Sequence, residues 1–326
     1  MTSETLPPAG QRGWSFPARF GFRFAFVFLV ATTLPIAFRF LPGFDEPLSK
    51  FATAVSDLYM PWLVTTLFGV TRPPRVVSAD IAYNYAGIAT HALLALVAAT
   101  VWSVVDRRRL AYPRMLEGLQ VYVRFVLAEA MIVYGAAKVM VAQFGTPSLD
   151  KLVQPLGDSS PMGLLWTFMG YSAGYQVFTG AAELLGGILL TIRRTALLGA
   201  LMVAGVMINV VALNLCYDVP VKIYSMQLLL LAVVLTIPYL RRLLSFFVLN
   251  RPLGPDTSEP LVRDRRWRMV AVGVRTLLVA ACVGYWLHDS VEQLDEVRTM
   301  VSPIRGVWNV ESLTVDGVER PPLATD

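Results

Sequence analysis

Charge is what this sequence has least of. Of its 326 residues only 16% are Asp, Glu, Lys or Arg, against about 25% in ordinary soluble domains. Together with 55% hydrophobic residues and a mean hydropathy of +0.56, that excludes a soluble globule with an oily core and points to a polytopic membrane protein. Cysteine is scarce too. Cys216 and Cys282 lie far apart and form no CxxC, which argues against a disulfide framework or a zinc site. Two histidines argue against a multi-His centre, and no metal is expected. The first apolar run has no small-residue cleavage site after it, so no cleavable leader is expected. The net charge of +5 is not a nucleic-acid footprint. The arginines sit in short loops between apolar runs, as a topology signal does, so the lipid bilayer is the expected partner and nucleic acid is not.

What is present is a series of long apolar runs. The pattern predicts an all-α polytopic protein with seven transmembrane helices: Phe22–Phe38, Ile81–Val105, Leu119–Gln143, Tyr175–Ile192, Ala196–Leu215, Ile223–Leu240 and Met269–Leu287. Pro35 offers a bend in the first, and Arg19, Arg23 and Arg39 flank it in positions to snorkel. Between the first two spans, Leu41–Asp80 reads as a long loop. Its apolar piece Leu58–Val70, broken by Pro61, is too short to span and reads as interfacial or re-entrant. The loop Phe144–Gly174 carries a Pro/Gly/Asp/Ser cluster and a second apolar piece. Pro161–Gly170 is expected to fold as a short helix on the end of the bundle, since exposing it to water is costly. Near the C-terminus, Val307–Val318 alternates like strands around a DG turn. One hairpin alone is marginal in water, so it either packs on the membrane domain or opens a larger β-domain.

These boundaries divide the chain into a cytoplasmic N-terminal segment (1–21), a two-helix membrane extension with a long outer loop (22–118), and a four-helix bundle (119–242). A cytoplasmic linker (243–268), the seventh helix (269–288) and an extracytoplasmic acidic tail with a β-hairpin-like piece (289–326) follow. With seven spans, the N-terminal arginines, the Asp106–Arg114 loop, Arg193–Arg194 and the Arg241–Arg268 linker share one side. The positive-inside rule makes that side the cytoplasm of a bacterial inner membrane.

The third to sixth spans nevertheless carry Arg124, Glu129, Lys138, Glu183, Asn209 and Asn214. An ionisable group at membrane depth costs roughly 2.5–3.5 kcal/mol on insertion scales, so such groups face a bundle interior, a pore or a partner. At 100° per residue, Arg124 and Lys138 fall within roughly 40° of each other on one helix, with Tyr134 near Lys138 and Glu129 turned away. Glu183, on an antiparallel neighbour, is placed to neutralise Lys138. The candidate intramembrane polar site is therefore Lys138, Glu183, Tyr134, Asn209 and Asn214, opening toward the Cys216–Lys222 turn. Gln143, Asp218, Glu129 and His91 are secondary candidates. A structural reading stands beside this one at even weight: Lys138 and Glu183 pair to fix helix register. Asn209 and Asn214 read more readily as interhelical glue, His91 as a packing histidine rather than a haem ligand, Arg124 as a snorkelling residue, and Asp218 with Lys222 as a surface pair. Gly180, Gly186 and Gly187 read as close helix packing.

Two of these stretches carry a resemblance. YGAAKVMVAQF (Tyr134–Phe144) resembles the glycine-to-lysine motif that ends the first helix of DoxX-like membrane proteins. FTGAAELLGGILLTIRRTALLGAL (Phe178–Leu201) resembles their second-helix motif, a glutamate ahead of a glycine pair. The resemblance covers Leu119–Arg242 and implies a four-helix membrane bundle. GDSSPMGLLWTFMG and LNLCYDVPVKIYS look like stretches of larger bacterial members with added helices. The resemblance implies a redox- or quinone-associated membrane subunit; the bound group is left open, a quinone or a lipid being the candidates, and a membrane or periplasmic protein is the candidate partner beside the bilayer. The chain has no cysteine pair for thiol chemistry and no second span-embedded histidine for bis-His haem. A small-molecule transporter or binding module, and a structural anchor for an extracytoplasmic domain, are the alternatives.

Overall fold

The computed structural model describes residues 13–38, 45–69 and 80–252, with scattered positions from 264 onward that include the stretch 311–320. Of the expected seventh span only scattered positions are described, all of them helical, and the first twelve residues and most of the acidic tail lie outside the described residues.

The membrane part is helical because its apolar runs leave the backbone no other way to satisfy its polar groups in hydrocarbon. Its main helices are α1 (Phe16–Phe38), α2 (Asp45–Phe68), α3 (Ala82–Val105) and α4 (Pro113–Val139). A short α5 (Leu149–Val153) and α6 (Pro161–Tyr171) follow, then α7 (Ala173–Thr191), α8 (Ala196–Cys216), α9 (Lys222–Thr236) and α10 (Leu240–Phe247). Among the described residues, five segments are long and apolar enough to cross a bilayer: Phe16–Leu34, Ala82–Val105, Pro113–Val139, Ala196–Cys216 and Lys222–Phe247. This is an all-α, multi-pass membrane protein. α7 is outside those five because Gln176, Glu183 and its glycines lower its hydropathy, yet it is an integral part of the bundle.

α4, α7, α8 and α9 pack in a closed ring, α4 on α7, α7 on α8, α8 on α9 and α9 back on α4. α4 is the central helix: 61% of its apolar window is buried, against 11–28% for the other four candidate spans. Val123, Val126, Leu127, Ala130 and Met131 of α4 meet Leu190, Val203, Met207, Leu228, Leu231 and Leu235 in one core. α1 adds Phe22 and Leu29 to that core and packs along α3. Leu93, Leu94, Leu96, Val97 and Val101 of α3 are exposed, the face a helix turns to lipid.

Several boundaries differ from the sequence reading. The Leu41–Asp80 segment, expected to be a loop with an apolar piece at Leu58–Val70, carries the continuous helix α2, so the 22–118 extension holds three helices rather than two. Pro61 does not break it. Met60 and Val64 on either side of the proline bury against Ala86 of α3, and that packing outweighs the lost backbone bond. α1 starts at Phe16, which brings Arg19 and Arg23 inside the helix, and continues past Pro35. α10 runs into the segment read as a polar linker. α4 stops at Val139, short of Gln143, in a Schellman motif: Ala142 N donates to Ala137 O at 2.8 Å and Val141 N to Lys138 O at 3.0 Å. The left-handed position of that motif, normally glycine, is Val141 with φ +58°. Near the C-terminus, β1 (Leu313–Val315) pairs antiparallel with β2 (Val318–Arg320) across Asp316–Gly317. Both turn residues have positive φ, 54° and 79°, as a type I′ turn requires.

Candidate intramembrane polar site

The site is built where α4 and α7 come closest. A Cβ on Gly180 would sit 2.6 Å from Lys138 Cβ and 2.8 Å from Gly135 O, and one on Gly187 would sit 2.9 Å from Ala128 O. Only glycine lets the two backbones approach so far. Gly180, Glu183 and Gly187 recur at i, i+3 and i+7, one face of α7, so this close approach brings Glu183 directly onto α4.

Lys138 Nζ donates to Glu183 Oε1 at 2.7 Å and to Oε2 at 2.6 Å. Only 8% of the lysine side chain and 3% of the glutamate side chain are exposed, so this is a buried two-point ion pair. Its mutual neutralisation is what permits both groups at this depth, since a lone buried charge bears the full loss of hydration. The ammonium also lies 5.8 Å from the centre of the Tyr134 ring, within cation–π range. Tyr134 in turn packs 6.0 Å from Tyr224 of α9. The bidentate pair uses two ammonium protons and both carboxylate oxygens, an arrangement that can hand a proton between the partners or to a third group.

The expected site is thus assembled in part. Lys138, Glu183 and Tyr134 come together. Asn209 does not join them: it is exposed on α8, because the face of α8 that packs on α7 runs through Gly199 and Val203. Asn214 is buried near the same end of the bundle, and its Nδ2 has no acceptor among the described residues. Gln143 and Gln176 lie at that end too, each with a buried Oε1 that has no donor among the described residues. Gln176 Nε2 donates to Gly145 O at 3.3 Å. Glu129 is buried but sits nine residues back along α4, about 13.5 Å by helix rise, at another level. His91 Nδ1 bonds Gly87 O of its own helix at 2.7 Å, which fits the packing role.

Arg124 is not a snorkelling residue. Its Nε donates to Leu190 O at 3.1 Å and its Nη2 to Thr191 O at 3.3 Å, so it caps the C-terminal carbonyls of α7 and meets the negative end of that helix. The polar stripe read on the third span therefore holds α7 at its C-terminal end and at its middle.

α6 packs on α7 and on Phe144 and Gly145, just past the end of α4. Ser160 caps it by accepting from Gly163 N at 3.0 Å, with Pro161 at the first helical position. Leu165 and Met169 bury against Val219, and Trp166 stands edge-on to Phe144 at 5.1 Å.

Two further polar residues have roles that the sequence reading did not assign. Asp80 accepts from the backbone N–H groups of Lys222 at 2.8 Å and Ile223 at 3.0 Å, capping α9 from 142 residues away. Lys222 Nζ bonds Asp218 Oδ1 at 2.6 Å and lies 3.6 Å from Asp80 Oδ2, so the Asp218–Lys222 surface pair is part of a triad. Arg23, read as snorkelling, is 2% exposed. Its guanidinium donates to Ser103 Oγ at 2.6 Å, to Asp106 O at 2.9 Å and to the Tyr112 hydroxyl, which donates onward to Asp106 Oδ2 at 2.9 Å. No local pattern announces Asp80. For Arg23 the available signal is the Trp102, Asp106 and Tyr112 cluster at the start of the basic loop.

No family model matches the chain, and no solved structure matches it. It is 38% identical over 114 residues to the uncharacterized protein YwoB of Bacillus subtilis (strain 168), a match covering 34% of this chain and 71% of YwoB. At that identity and coverage, the chain belongs to the family of YwoB.

Proposed function

We propose that the protein is a DoxX-like subunit of the bacterial inner membrane, associated with a redox or quinone-handling complex, with Lys138–Glu183 as its polar intramembrane site. The single observation behind this reading is the bidentate, buried ion pair, set beside an aromatic ring. The residues around it fit a carbonyl- and hydroxyl-bearing headgroup. Gln143 Oε1, Gln176 Oε1 and Asn214 Nδ2 offer two buried acceptors and one donor without protein partners among the described residues; the donor suits a quinone carbonyl and the acceptors suit the hydroxyls of the reduced quinol. A quinone supplies two-electron, two-proton carrier chemistry when bound. The chain's part is to hold a proton on Lys138, accept one on Glu183, and keep bulk water out with Leu165 and Met169 of α6. In this reading there are seven spans, the N-terminus is cytoplasmic and the site opens outward.

A second reading has its own support. The glycine interlock of α4 and α7 favours a pair that acts as a clasp in a membrane anchor for an extracytoplasmic partner. Lys138→Met, Glu183→Gln and the double variant separate the two. Each single variant leaves an uncompensated charge and is expected to lose roughly 3–5 kcal/mol of stability in detergent, whereas the double variant recovers it. The first reading expects quinone to extract with the wild-type protein and to be lost from the folded double variant. Unchanged ligand content in a stable double variant, with a partner still co-purifying, selects the anchor.

A further inference from the structure

A groove of ≈ 360 Å³ lies between α1 and α3, at the far end of the molecule from Lys138, lined by Arg19, Arg23 and Arg107 together with Phe16, Phe20 and Val104. Its charge is one-sided. Arg23 has Asp106 as counter-ion through the Tyr112 hydroxyl. Among the described residues Arg19 has only the Arg109 carbonyl, bonded at 3.0 Å by one terminal nitrogen, while its Nε is buried with no acceptor. A buried guanidinium N–H without an acceptor is costly, and here it belongs to a group lining an open basic groove. Arg107 is exposed at the rim. The other side of the groove is apolar and open: Phe16 and Val104 are 61% and 53% exposed. Both helices are candidate membrane spans, and the groove lies at their ends, the level of lipid headgroups.

We infer that this groove binds the phosphate of an anionic phospholipid, with Arg19 and Arg107 on the phosphate oxygens and the Phe16–Val104 side along an acyl chain. Guanidinium forks match phosphate geometry, and basic pockets between membrane helices suit acidic lipid headgroups. A free phosphate ion would use the arginines but leave the apolar side bare, so the wall assigns the ligand to lipid.

The test is to place the full chain in mixed bilayers of phosphatidylglycerol and phosphatidylcholine, release it into detergent, and count retained lipids by native mass spectrometry. Phosphatidylglycerol should be retained over phosphatidylcholine, and Arg19→Gln with Arg107→Gln should cut that preference by roughly thirtyfold, the effect of two surface arginines. Val104→Trp, which fills the apolar side and keeps every charge, should also displace the lipid. If the double variant does not fold, Arg107→Gln alone and Val104→Trp decide between the outcomes, since both residues are exposed. Equal retention of the two lipids, or undiminished preference in the variants, overturns the inference. Displacement of the lipid by millimolar inorganic phosphate, with Val104→Trp neutral, would make this a free-phosphate site and overturn it as well.

Discussion

Val141 is held in a conformation its side chain resists. Its φ of +58° is the left-handed region, an outlier for a β-branched residue, and such strain costs of order 1–3 kcal/mol. It persists because the Schellman bonds to Ala137 and Lys138 tie down the end of α4, three residues past the ion pair. Val141→Gly should raise stability by about 1 kcal/mol, the strain relief less the extra entropy of glycine. A lower unfolding temperature in detergent would remove the strain argument. Asp80 is the opposite case, a cap whose loss should hurt: Asp80→Ala leaves two N–H groups of α9 without their acceptor and should cost about 1 kcal/mol, read from the same melting curve, with Asp80→Asn retaining part of the bond. These residues also show what is legible in a sequence. Lys138 and Glu183 are readable because two opposite charges on long apolar runs have few ways to be neutralised except by each other. Asp80, Arg23 and Arg124 are not, because their partners are backbone groups or side chains some 66 to 143 residues away. Asn209 misleads because a polar residue in a span need not face the bundle interior.

At the scale of elements, the α4–α7 contact is decided by glycines. A methyl on Gly180 collides with backbone as well as with Lys138 Cβ, so the helices must part. Gly180→Ala should cost about 1–3 kcal/mol, in the range of overpacked cores. Gly205→Ala on α8, where a Cβ meets nothing within 4 Å, should be neutral or slightly stabilising, glycine being the poorer helix former. Equal melting temperatures for the two variants would show that the interlock does not set the stability of the pair of helices. The glycine pairs are visible in the sequence as a packing face, and α6 is visible as an apolar piece too short to span behind a Ser-Pro start. α2 is hidden by Pro61, because the packing of Met60 and Val64 on α3 that carries the helix through the proline is not a local property.

The whole molecule has two unlike ends, and contacts between helices show which residues share each. Arg23 at the start of α1 bonds Ser103 at the end of α3, so those helices are antiparallel. α2 between them therefore returns to the side it left, and does not complete a crossing. Arg124 near the start of α4 bonds the end of α7, while Lys138 near its end meets Glu183, so α4 and α7 are antiparallel as well. One end thus gathers Arg19, Arg107, Arg108, Arg109, Arg114, Arg193 and Arg194, with Arg241 and Arg242 after α9. The other holds Asp80, Lys138, α6, Asp218 and Lys222. An excess of arginine in short connections marks the cytoplasmic face. Reporter fusions at Arg109, Arg194 and Asn250 should therefore all report cytoplasm, and one at Asp218 the outside. Cysteines at the two ends of α2, placed at Lys50 and Gly69, should both be labelled from the outside by a membrane-impermeant thiol reagent. The two assays are independent: an outward report at any of the three arginine-rich connections reverses the orientation, and labelling of the two α2 cysteines from opposite faces makes α2 a span, which the antiparallel contact of α1 with α3 does not allow.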